Sequence, residues 1–555
     1  MFRKVLRRER RSRLIFKRTL SFISAAAVLV TAVFSLSSCR DSDEEDPDIG
    51  KNAAFTSVIS GNPVTLDPQT CINDSSAQII SDVFRGLYRT ADSGETVPAM
   101  AESADVSDDG LVWTFRLAGG VSWYGADDFT AECTADDFVF AFQRLVDPAL
   151  GSVRAKEYYC IKNAEKINTG VIADRTQIGV EATGKYELRI TLNEPRTDLK
   201  ELLAAAPAMP CSRAFWEHTE GQYGLVGNCV GSNGGFYVNR WHYDKWTKNG
   251  NFIELKRNPE NSVILGTAPR SITYLINADA HDSFLSGDSD VYRTSDPDEI
   301  FRLSGKYSER IYSSSVWGVV FNAGGVFAEP DLRIALGGYV NADITGDIYT
   351  SASCIVPEGA SVGDTDYRKA AGYPEALPYT ETELSERGER AMHELPDGAL
   401  SGMKLLIPEG TALRQYAGSF IQRWQKSFGI NCTVSELPYP DYLSALQSGA
   451  FDAALVRIGG SNAQSYLSAF TASSALNYGG ADSRKLDDII TCALTAEDDK
   501  SAARYCLEAE QFILDNGYFA PLCFGREYVF CKKGTEGIGY DPASGIYIFD
   551  DALKK

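Results

Sequence analysis

Apolar positions along this chain recur with two periods that take turns. In "LVWTFRL" (111–117), Trp113, Phe115 and Leu117 fall on one face and Thr114 and Arg116 on the other, which predicts a strand with one buried side. "KYELRITLNEP" repeats the pattern with Tyr186, Leu188, Ile190 and Leu192, and stops at Pro195. Between them the period changes. In "TADDFVFAFQRLVDP", Phe138, Phe142 and Leu145 form one stripe, Thr134 can cap the first turn and Asp137 stands at the third position, so a helix is predicted. "SAARYCLEAEQFILDNG" places Ala502, Cys506, Ala509 and Ile513 on one helical face, with Gly517 as the stop. Another helix is predicted over 77–86. Strands and helices interleave over the whole length, which predicts an α/β architecture. The Gly-rich stretches 227–237 and 319–331 are the candidate hinges or linkers, and 357–400, rich in Pro, Gly and Glu, reads as a surface excursion.

The amino-terminal pattern differs from everything behind it. Residues 20–36 contain no charge, and the segment before them carries nine Lys/Arg against one acid. A basic start, a short apolar core and small residues at its end describe an export signal. The core of 17 residues is at the lower edge of what spans a bilayer as a helix, so a single amino-terminal membrane anchor is the alternative. The run ends in "LSSC" (36–39), which resembles the lipobox of bacterial lipoproteins, where cleavage precedes a cysteine that is then lipidated. This implies a signal peptide over 1–38 and acylation of Cys39. Acyl chains hold a soluble domain at a membrane surface, since each buried methylene contributes roughly 0.8 kcal/mol. Residues 39–54, which include "RDSDEEDPDIG", then form an acidic tether.

Charge narrows the partners. The 555 residues carry a formal charge of −21, which moves to about −29 without the basic first 38. Nucleic acid needs Lys/Arg to replace its counterions, so it is not an expected partner. The 517 residues behind the signal suggest several domain-sized units, and no second apolar run approaches a membrane span. Of twelve cysteines, eleven remain once Cys39 is set aside. Cys211 with Cys229, and Cys523 with Cys531 across an expected hairpin, are candidate disulfides, the alternative being small buried hydrophobes. No CxxC or CxxH occurs and the four histidines are scattered, so neither a metal nor a cofactor is expected.

The order of motifs is more specific than any one of them. "TLDPQTCINDSSAQIISDVFRGLYR" is followed by "VPAMAESADVSDDGLVWTFRLAGGVSW", "FTAECTADDFVFAFQRLVDP", "YELRITLNEP", "GSNGGFYVNRW", "SITYLINAD", "FNAGGVFAEPDLRIAL" and "FGINCTVSELPYPDYLSALQSGAFDAALV". This series resembles the oligopeptide- and dipeptide-binding proteins of bacterial ABC importers, the extracellular solute-binding family 5, from about residue 57 to 549. The resemblance implies a two-lobed, periplasmic-binding-protein-like clamshell (type II, cluster C) with an extra domain beside lobe I. Lobe I would take 55–87, 211–325 and 518–555, the extra domain 88–210, and lobe II 326–517. It also implies a monomer that captures a peptide or other small solute and delivers it to an ABC permease with its ATPase subunits. The location implied is the outer face of the cytoplasmic membrane, held by lipid. A cleft that closes by hinge rotation would bury the ligand.

Carried over residue by residue, the resemblance places Asn73, Asp74 and Ser75 beside the ligand, although the same residue types favour a capped turn. Trp317 and Asn322 fall where the chain would cross into lobe II, with a core position as the alternative for Trp317. Tyr439 falls where an aromatic covers a ligand side chain, and Arg154 near an aromatic position of the cleft. Peptide binders of the family place an aspartate in the loop after the strand "FDAALV". Here that loop offers Arg457, Gly459 and Ser461, and no aspartate. The ligand class is therefore open, and an anionic or amine-blocked ligand is one expectation if Arg457 faces the cleft. The same fold binding a glycan, a nickel chelate or haem, or serving as a peptide-sensing receptor, is the nearer alternative. A secreted hydrolase is the distant one, resting on "GASVG" (359–363), which fits GxSxG but lacks the strand and helix that a nucleophile elbow requires.

Overall fold

This computed structural model describes residues 50, 52–91, 96–247, 250–346, 348–375, 379–472, 474 and 476–555. The signal, Cys39 and residues 40–49 and 51 of the tether lie outside the described residues, while Ala53 is buried and Ala54 begins the first strand. Three large sheets organise the rest. Ala54–Ile59 pairs in parallel with Ser271–Ile276, and Phe252–Arg257 and Phe236–His242 extend that sheet antiparallel. A second, four-stranded antiparallel sheet runs Ala101–Val106, Val112–Leu117, Glu187–Thr191, Val180–Gly184. Its inward row is the predicted one: Phe115, Leu117, Leu188 and Ile190 are buried. Helix Ala135–Leu145 packs beside it, opened by Thr134, whose amide donates to Asp137 at 2.8 Å.

The third sheet holds the molecule together. Its order is Val291–Thr294, Ala520–Cys531, Ser308–Phe321, Ala453–Ile458, Lys404–Pro408, Thr433–Leu437, with Tyr349–Ser351 against Ala520–Cys531. Two of these strands are unusually long, with 14 and 12 residues, and they pair with each other from Ser308↔Cys531 to Val319↔Ala520. At one end they join Val291–Thr294, and at the other Ala453–Ile458. Irregularities in the ladder fall between them, at Ser313/Ser315 and Trp317/Gly318. These paired strands are the crossing strands of the sheet, and the boundaries expected at 325/326 and 517/518 lie close to their ends.

Core composition follows the same division. One continuous core takes residues of the first two sheets together, including Phe84 edge-on to Trp123 at 6.2 Å. The first two sheets therefore share one interior. Beyond the crossings, "AALVRI" (453–458) is buried on both faces: Ala454 and Val456 face one cluster, Ala453 and Leu455 another. A strand covered on both sides reads as a continuous apolar run, which is what the sequence shows.

Several local expectations are corrected. The helix expected over 77–86 spans Asp74–Val83, because Asn73 Oδ1 accepts from Ser76 N at 2.8 Å and starts it three residues earlier. Neither candidate disulfide forms; Cys211, Cys229, Cys523 and Cys531 are all free. Cys523 and Cys531 lie on one continuous strand rather than across a hairpin, and eight residues at about 3.3 Å each keep them far apart. The 227–237 stretch is not a linker. A Cβ on Gly234 would stand 2.7 Å from the Val83 backbone, so glycine there permits a tight approach within the core. The 357–400 segment is not a bare excursion, since it holds a hairpin over 361–366 and helix Glu381–His393. Ser361 of "GASVG" opens that hairpin, with no helix directly behind it as an elbow needs.

Candidate functional site

Two cavities lie where the halves meet. The larger, about 650 Å³, is walled by helix Asp74–Val83 and the loop before it, by Arg154 and Glu157, by helix Leu199–Ala204, and by the carboxy-terminal hairpin around Tyr547; Ser361 and Ser461 reach it from the other lobe. The smaller, about 260 Å³, sits on the crossing strands.

The loop 67–73 is fixed from behind. Arg144 sends one guanidinium nitrogen to Asp67 at 2.5 Å and another to Gln69 at 2.6 Å, and Gln69 in turn donates to Met209 O at 2.9 Å. The Arg144–Asp67 pair is buried, so its charges are held by these bonds rather than by water. Asn73 and Asp74 are thereby presented to the large cavity, Asn73 while capping its helix. Ser75 points elsewhere: it is buried and accepts from Gly61 N at 3.2 Å. Arg154 lines the cavity already paired twice with Glu157, both contacts at 2.8 Å.

The smaller cavity has an aromatic wall. Trp317 stands directly opposite Arg457 in the antiparallel ladder, and Tyr349 opposite Gly525 on the other side. Tyr439 stacks on Tyr442 at 6.1 Å and is largely exposed. Any side chain at Gly525 would press on Trp317 at 3.3 Å, so this glycine keeps the floor open. Arg457 faces Glu527 at 3.4 Å, and Glu527 also accepts from Tyr540 at 2.5 Å. Arg457 thus offers a cation whose charge is already shared with a carboxylate. Asn322 lies in neither cavity; it donates to Gly449 O at 3.0 Å and braces a turn. Gly459 is also absent from both linings.

Residues that sequence reasoning did not single out complete the site. Asp82 belongs to the wall of the large cavity, buried, with Tyr274 donating to it at 2.6 Å; desolvation pushes its carboxyl up to about 8. Glu201 lines the same cavity, and burial pushes its carboxyl up to about 7. Arg85 and Asp550 pair there at 2.9 Å. Glu527 and Glu201 carry no local signal, since each directly follows a basic residue, in "GREYVFC" and "KELLAAA".

A jaw lined from both sides, on a scaffold with two crossing strands, is a binding architecture. Residues 95–478 match the family described as bacterial extracellular solute-binding proteins, family 5 (middle). The chain belongs to this family. The dipeptide-binding protein of Lactococcus lactis is 25% identical over 96% of this chain and 99% of its own length. The periplasmic oligopeptide-binding protein OppA of Escherichia coli is 25% identical over 87% and 89%. The probable deoxycholate-binding protein YgiS of Escherichia coli is 27% identical over 70% and 72%. Among solved structures, the Escherichia coli murein tripeptide-binding protein MppA superposes with a TM-score of 0.69 at 22% identity, covering 90% of this chain and 98% of that one. Listeria monocytogenes OppA bound to peptide gives 0.68 at 20%, over 90% and 99%. The solute-binding protein therefore has the type II clamshell fold of these neighbours. No described helix is long and apolar enough to cross a membrane.

Proposed function

We propose that this solute-binding protein captures peptides or related small solutes between its lobes and hands them to an ABC permease, working as a lipid-anchored monomer without catalysis of its own. The observation that carries the reading is the pair of crossing strands, which joins two lobes through one ladder and leaves a cavity lined from both. Burial of a ligand there supplies affinity, and few polar groups fix its orientation. The dipeptide- and oligopeptide-binding relatives support peptides.

One observation favours a second reading. A relative at 27% identity is named for deoxycholate, and the loop 457–462 presents Arg457 and small residues rather than an acid. A non-peptide solute fits that loop equally well.

The test is mass spectrometry of ligand released by unfolding purified protein, followed by calorimetry with a peptide series. Tight binding of peptides supports the first reading. A steroid-like or other non-peptide ligand, with no peptide binding, supports the second. For the anchor, Cys39→Ala should abolish metabolic palmitate labelling; persistent labelling would refute it.

A further inference from the structure

Glu201 lines the large cavity and has no ion-pair partner among the described residues. It sits on the short helix Leu199–Ala204, and the residue as a whole is only partly buried. Its Oε2 is nonetheless sealed from water, with no hydrogen-bond donor among the described residues. The carboxyl groups around it are committed: Glu157 to Arg154, Asp550 to Arg85, Asp198 to Arg196 at 2.6 Å. The neighbouring Lys200 reaches away, across the jaw, to Asp364 at 2.8 Å. A carboxylate shut in on one side and unpaired must either keep a proton or meet a cation from the open side, because leaving it charged and alone is costly.

We propose that Glu201 receives a primary ammonium group of the ligand, an amino terminus or an alkylamine, on the cavity side of its carboxyl. This rests on the solute-binding reading of the same cleft and names the group recognised within it. Near neutral pH the carboxyl gives up its proton to solvent as the ammonium arrives, so binding and proton release are linked one to one. The groups that set this balance are Asp198 and Asp364, which favour the protonated form, and Lys200, which favours the charged one. Tyr88, on the strand packed against this helix, faces Glu201 as well. The ammonium is an added positive charge that none of these supplies.

The experiment uses the whole protein with three probes: tripeptides with free amino termini, the same tripeptides N-acetylated, and putrescine. Affinity is measured by calorimetry from pH 5.5 to 8.5, in two buffers that differ in ionisation enthalpy. The expected result is that amine-bearing probes weaken about tenfold per pH unit below pH 7, with one proton released. Glu201→Gln should lose about 30-fold or more for them and flatten the profile, while N-acetylated peptides bind it as they bind the wild type. Thermal melts establish that the variant is folded, and the wild-type comparison of free with acetylated peptides stands without it. Dependence on Glu201 for putrescine alone keeps the proposal and removes the peptide reading. Tight peptide binding with no preference for the free amine, or unchanged in Glu201→Gln, overturns the proposal and keeps that reading. A protein that takes up no amine-bearing probe overturns both.

Discussion

Lys200 donates to both oxygens of Asp364, at 3.0 and 2.8 Å, and so ties helix Leu199–Ala204 to the hairpin over 361–366 at the rim of the cleft. Next to it, Thr197 N donates to Leu494 O at 2.7 Å, and Gln464 donates to Thr197 Oγ1 at 3.1 Å. These bonds span the jaw, and they must break whenever it opens.

The first prediction concerns that rim. Lys200→Glu should shift the protein toward an open form, by only a few-fold because exposed pairs contribute about 0.2–1 kcal/mol. Small-angle scattering should register expansion in the single variant and recovery in Lys200→Glu with Asp364→Lys. If the double variant stays as open as the single one, the pair does not govern closure.

The second concerns the lobe II interior. Glu510 is fully buried and accepts from Ile355 N, Val356 N, Tyr367 and both Arg368 nitrogens, all between 2.8 and 2.9 Å. Glu510→Ala leaves the Arg368 charge buried and alone, and should cost about 3–5 kcal/mol in urea unfolding. A loss below 1 kcal/mol would count against the network.

The third concerns pH. The Asp82 carboxyl, ordinarily near 3.8, is raised to about 8 by burial. The folded state therefore keeps a proton that the unfolded chain releases, so this contribution is complete below about 4 and is lost as pH rises through about 8. Melting temperatures should fall between pH 5 and 8.5 in the wild type, and less steeply in Asp82→Asn. Equal slopes would show that another group controls the effect.

The fourth concerns the crossings. A methyl at Gly318 would lie 2.5 Å from the Ala520 carbonyl on the partner strand. Gly318→Ala should cost about 1–3 kcal/mol by forcing the strands apart. Denaturation with the stability of wild type would mean that the ladder yields there at no cost.

The fifth concerns thiols. All eleven cysteines from Cys71 onward are free, and Cys492 is exposed. Alkylation of folded protein should label Cys492 first, with the buried thiols reacting after unfolding, and reductant should leave the melting temperature unchanged. A mass loss of two hydrogens per pair would reveal disulfides.

Elements whose burial is one-sided were legible in the sequence, because period alone encodes them. Val112–Leu117 and Asp499–Asp515 are examples. The family was legible from motif order. Residues of the site were read unevenly, for a physical reason. Asn73, Asp74 and Trp317 sit in segments whose local pattern already marks them. Glu201 and Glu527 acquire meaning only from what tertiary packing brings opposite them, and Ser75 and Asn322 lose theirs the same way. The Cys523–Cys531 pair failed because short spacing along the chain says nothing about whether a strand turns back.

The seven-stranded sheet has a consequence for the order of assembly. Ala520–Cys531 contacts Val291–Thr294, Ser308–Phe321 and Tyr349–Ser351, so a strand made about 170 residues or more after these three occupies an interior place among them. Ribosomal synthesis delivers that strand after nearly everything it must join. Until it arrives, Ser308–Phe321 has one bare edge, and the lobes have only a single covalent connection. A nascent chain of this protein therefore stays open along its hinge until residues 520–531 are made, and long-range pairing of this kind is intrinsically slow.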